Sequence, residues 1–182
     1  MTKKIRGIVT GHHPDGTSTI LFESDATEVL EVPGWGAGIT ELWSTDESPV
    51  DLNSTADRVR PMSHDPRPNG SLFRVVEVPP ESEVKFDTDT AFAAMGSHNR
   101  PENARRAQHP TMQRTDSLDH VLVAQGEMFM VMGDGSETLL TPGDCVVQQG
   151  TDHAWANRGT EPCVIFAVLP DASKPTVLAQ SA

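Results

Sequence analysis

Two stretches of this chain hold groups that exchange protons or bind metal ions. The first is His153-Ala154-Trp155-Ala156-Asn157, where strand alternation puts His153, Trp155 and Asn157 on one face. An imidazole beside an indole joins a group that titrates near neutral pH to an aromatic wall. The second runs from His109 through Thr111, Gln113 and Arg114 to Asp119 and His120, just ahead of and into a predicted strand. If Asp119 points inward there, His120 points to the opposite face.

The elements that must position these groups are short strands. From residue 118 they come at 118 to 124, 127 to 132, 137 to 140, 144 to 148, 153 to 156 and 163 to 169. Turn sequences separate them, including Gly133-Asp134-Gly135, Pro142-Gly143-Asp144, Gly150-Thr151-Asp152 and Asn157-Arg158-Gly159. Spacing this close indicates a barrel or sandwich. Met128, Met130 and Met132 alternate opposite Phe129 and Val131, a set that reads as core and implies a pocket rich in Met and Trp.

Upstream, strands at 5 to 9 and 17 to 23 flank the turn Pro14-Asp15-Gly16, and His12 and His13 read as exposed turn residues. Residues 39 to 45 form a β-rich run, and 46 to 70 read as a long polar loop in which His64 is solvated. A clear strand spans 71 to 78, where Arg74 reads as a surface residue, and 87 to 95 suit one short helical turn. The polar segment 96 to 108 fits a lid over a cavity and an insertion equally well.

Pro142-Gly143-Asp144 followed by Gly150, His153 and Asn157 resembles the second motif of the cupin superfamily. Asp119, seven residues before Gly126, resembles the acid of the first motif, and the resemblance covers residues 109 to 170. It implies an all-β protein: a small antiparallel jelly-roll barrel with an amino-terminal β extension. One structural domain is expected, with an extension at 1–108, a motif core at 109–172 and a tail at 173–182.

The resemblance also implies a metal held by motif histidines and the acid. Here Thr111 and Gln113 stand about where two histidines belong, and an amide oxygen is a weak ligand for a transition metal. The expected set is His153, Asp119 and Gln113, with His109 entering from the preceding loop. It would hold either no metal or one divalent iron, zinc, manganese, nickel or copper. Without a metal, His153 and Asp119 exchange protons with a substrate. Gln113 and Arg114 then bind its oxygens, and Trp155, Met128 and Met130 line the pocket.

That constellation suits proton-transfer chemistry on an oxygenated, even aromatic, small molecule, of the lyase, decarboxylase, isomerase or cyclase type. A metal-dependent dioxygenase and a non-catalytic binding or sensing barrel are the alternatives. A formal charge of -12 across 182 residues argues against phosphate-directed nucleic-acid binding. No apolar run approaches the roughly 20 residues of a membrane helix, so no membrane partner and a cytoplasmic location are expected. Cys145 and Cys163 read as small buried apolar residues. Strand edges in the amino-terminal segment suggest a homodimer built by sheet extension.

Overall fold

The computed structural model describes residues 4–53, 62–97 and 108–176. Its larger sheet contains β3 (Val29–Glu31), β4 (Gly38–Thr45), β5 (Ser71–Val78), β6 (Leu118–Gln125), β9 (Cys145–Gln149) and β11 (Cys163–Pro170). Their spatial order is β3-β4-β5-β11-β6-β9. The smaller sheet holds β7 (Met128–Met132), β8 (Glu137–Leu140) and β10 (His153–Ala156), in the order β10-β7-β8. A separate hairpin, β1 (Arg6–His12) and β2 (Ser18–Asp25), packs Phe22 near Trp43 with ring centroids 6.0 Å apart. All these pairings are antiparallel, as a jelly-roll barrel requires.

The amino-terminal extension is built into the barrel wall, because β5 pairs along its whole length with the last strand, β11. Strand alternation then selects what faces inward. From the larger sheet these are Ile39, Val76, Val121, Val123, Ile165, Ala167 and Leu169. Met128 and Trp155 of the smaller sheet join the same buried cluster. The opposite faces of β7 and β10 form a second small cluster, where Val131, Ala154 and Ala156 meet Met112 and Phe129. The predicted alternation of β7 is therefore present, with each face serving a different cluster.

α1 (Thr88–Ala94) packs against the main core, and its N-cap Asp87 accepts from the Thr90 amide. Ala91 and Phe92 give the helix its buried side. The sequence reading missed β3, which is three residues long, follows Glu28 and ends in Glu31. It exists because Val29 to Glu31 pair with Gly38 to Thr40.

Gly126, in the turn between β6 and β7, has φ 73°, and a Cβ there would lie 2.6 Å from the Pro162 carbonyl oxygen. Both the left-handed backbone and the close approach exclude a side chain. Gly126→Ala should lower unfolding stability by about 1–3 kcal/mol in urea denaturation, and an unchanged midpoint would contradict the close packing of this turn. Cys163 is buried as expected, but Cys145 is exposed, because it lies at the start of an edge strand. Among the described residues no helix is long and apolar enough to cross a membrane.

Candidate functional site

Between the two sheets lies a cavity lined by Trp35, Ile39, Val76, Met95 and Trp155 on its apolar side. Its polar lining is His64, Arg74, Gln113, Thr115, Asp119 and His153. The cavity volume is about 50 Å³, room for a few water molecules. A compact ligand fits this volume.

His153 opens β10 and faces this cavity with 3 % of its surface exposed. Its Nδ1 lies 2.9 Å from the Thr151 carbonyl oxygen. A carbonyl can only accept, so Nδ1 carries the hydrogen and Nε2 is left with a lone pair for a ligand. Trp155 packs edge-on against the ring at 5.2 Å between centroids. Burial pushes the imidazole below its ordinary range. The Thr151 carbonyl and the Asp119 charge pull the other way, while His64 adds to the downward push.

The unfolded chain therefore takes up a proton at His153 before the folded protein does. The stability this gives is complete above the unfolded value near 6.5 and is lost as pH falls through the lower folded value. Denaturation at about pH 7.5 and about pH 5.5 should show a loss of stability at the lower pH that is smaller in His153→Gln. An identical loss in both proteins would place the titrating group elsewhere.

Asp119, on β6, is buried and accepts from the hydroxyls of Thr115, at 2.8 Å, and Ser117. These two donors occupy one oxygen each. Gln113 is joined to His153 by paired backbone hydrogen bonds of 2.8 and 2.9 Å. Its side-chain Oε1 lies 3.2 Å from His64 Nε2. Gln113, Asp119, His153 and Trp155 thus share one cavity.

Other predicted site residues lie elsewhere. Arg114 is 3.5 Å from Asp152 and lines surface grooves, so it neither meets the cavity nor pairs with Asp116 or Asp119. His109 is buried against Glu81, at 2.6 Å, and Thr111, at 2.9 Å, which turns it away from the other candidate ligands. Met128 is buried in the main core, and Met130 packs on that core and meets the Gln148 amide at 3.5 Å. Neither methionine lines the cavity.

Two residues read as surface groups are buried in the cavity wall. His64 is 3 % exposed, because its backbone amide donates to the Met95 carbonyl and Asp65 beside it accepts from the Asp116 amide. Arg74 is 5 % exposed because β5 turns it inward with Val76. Phe73 takes the outer face instead and packs near Phe166, 6.3 Å between centroids. Arg74 Nη2 lies 2.7 Å from Oε1 of Glu41, its cross-strand partner on β4. Its guanidinium also donates to the carbonyls of Ser63 and His64, which ties the loop carrying His64 to the sheet.

The family model for the cupin domain matches residues 106–169. Phomopsin biosynthesis cluster protein C' of Diaporthe leptostromiformis is 30% identical over 158 residues, covering 82% of this chain and 69% of that protein. The chain belongs to the cupin superfamily. A second relative, the cupin-domain-containing oxidoreductase fogC of Aspergillus ruber, is 27% identical over 91% of this cupin and 71% of its own length. Among solved structures, an RmlC-like cupin family protein from Methanocaldococcus jannaschii matches with a TM-score of 0.37 at 14% identity. That match covers 60% of this chain and 75% of the other.

Cupin barrels commonly hold a metal, and the donors of this cupin can be tested for one. Among the described residues no three His, Cys, Asp or Glu side chains are grouped to hold an ion. Both Asp119 oxygens are engaged by hydroxyls, and His64 Nε2 faces the Gln113 oxygen. These donors do not make a metal ligand set in this arrangement. Residues 98–107, most of the segment read as lid or insertion, lie outside the described residues.

Proposed function

We propose that this cupin is a small-molecule enzyme that moves a proton on a compact oxygenated substrate held in the barrel cavity. The reaction class is that of a lyase, decarboxylase, isomerase or cyclase. The observation that carries the reading is His153: a neutral imidazole with one nitrogen fixed by the Thr151 carbonyl and the other free to take a proton. In this role Nε2 removes a proton from a carbon or hydroxyl beside a substrate carbonyl. The resulting imidazolium is stabilised by the nearby Asp119 charge and returns the proton at a second position. Gln113 and His64 contact the substrate oxygens, and Trp35 and Trp155 exclude water around the reacting carbon.

The relatives support an enzymatic role. One is named for a fungal biosynthesis cluster, and others, such as virC of Hypocrea virens, are named cupin-domain-containing oxidoreductases. Those names favour an oxidoreductase as the second reading, and the cavity does hold two imidazoles, His64 and His153. Incubating the protein with a panel of small hydroxy and oxo compounds, with oxygen uptake and products followed together, separates the two. Proton transfer gives an isomer, an elimination product or carbon dioxide without oxygen uptake. Oxygen consumed in step with product supports the oxidoreductase instead.

A further inference from the structure

The acid–base reading leaves one feature of the cavity unused. Arg74, 5 % exposed, lines the cavity beside Ile39, Val76, Ile165 and Ala167 and forms an ion pair with Glu41, which is 2 % exposed and does not itself line the cavity. Removing two charges from water costs more than a hydrophobic pair of similar size would. The pair is also incompletely satisfied. Arg74 Nε is buried with no partner, and neither Glu41 oxygen has a well-angled hydrogen bond although one lies 2.7 Å from Nη2. A guanidinium has five N–H donors, and its planar fork matches a carboxylate.

We propose that Arg74 is the receptor for a substrate carboxylate, so that the cavity takes a small carboxylic acid whose reacting carbon is presented to His153. This deepens the proposed function and rests on the cavity being the substrate site. Glu41 is then the resident counter-ion, which keeps Arg74 charged and oriented when the cavity is empty. Burial pushes the Glu41 carboxyl above its ordinary range against the pull of Arg74. Burial pulls the Arg74 guanidinium below its ordinary range, and the charges of Glu41, Asp119 and Asp65 oppose that shift and favour its charged form. The low-dielectric walls strengthen a charge-assisted contact made here.

The test uses acetate and its neutral isostere acetamide as probes, with the buried Arg74 Nε–H resonance followed by nitrogen-edited NMR. Acetate, and not acetamide, should move that resonance saturably. Glu41→Gln, which keeps the side-chain size and removes the competing charge, should tighten acetate binding by at least about tenfold. The double variant Glu41→Gln/Arg74→Gln removes both members of the ion pair, should keep the fold as read by circular dichroism, and should lose acetate binding. Equal responses to both probes, an unchanged affinity in Glu41→Gln, or acetate binding that survives in the double variant would each overturn the assignment. Acetate bound at Arg74 with no proton transfer on any carboxylic acid would keep the receptor and remove the acid–base reading. Proton transfer that acetate does not inhibit would do the reverse.

Discussion

Arg74→Met with Glu41 left in place should lower the free energy of unfolding by about 3–5 kcal/mol. The substitution keeps most of the side-chain volume and removes the cation. Glu41 then remains 2 % exposed without the guanidinium 2.7 Å away. Loss of the bonds to the Ser63 and His64 carbonyls also releases the loop that brings His64 to the cavity. Glu41→Leu combined with Arg74→Met should recover most of that loss, because the desolvation penalty of both charges disappears together. Urea denaturation of the three proteins measures this. A single variant that loses less than about 1 kcal/mol would mean that the pair is solvated and that water reaches it through the cavity.

His153→Gln should reduce turnover by about 10²–10⁴-fold while leaving the barrel folded. Glutamine can keep a contact with the Thr151 carbonyl, but it has no nitrogen that accepts a proton near neutral pH. His64→Gln should cost less, because His64 contacts substrate oxygens and does not carry the proton. The comparison is made on initial rates at saturating substrate, with circular dichroism confirming the fold. Turnover in His153→Gln close to that of the parent would remove the acid–base assignment.

The part of the site carried on regular strands was legible in the sequence. Two-residue periodicity alone turns His153 and Trp155 to one face and separates Asp119 from His120, which is exposed. The turn residues around β6 to β11 marked the strand limits closely, since each turn has its own chemical signature.

His64, Arg74 and Glu41 were not found, because what buries them lies far away in sequence. Glu41 pairs across the sheet with Arg74, and Asp65 accepts from the amide of Asp116. A local signal for the pair did exist. Alternation in Ile39-Thr40-Glu41 puts an acid on the same face as Ile39, and alternation in Leu72-Phe73-Arg74-Val75-Val76 puts a cation on the same face as two apolar residues. An acid and a base on inward faces of neighbouring strands imply a buried pair. Arg114 misled for the opposite reason: it precedes the strand, so no alternation constrains it, and Asp152 draws it outward.

The most direct test of the central claim is solvent hydrogen exchange. The protein is incubated in deuterium oxide with a panel of small oxo and hydroxy carboxylic acids, and deuterium entering each carbon position is followed by proton NMR. Enzyme-dependent exchange is expected at a carbon beside the carbonyl or hydroxyl of at least one acid. That exchange should be absent in His153→Gln and inhibited by acetate. Exchange that persists in His153→Gln, or substrate consumed with oxygen uptake and no exchange, would contradict proton transfer at His153.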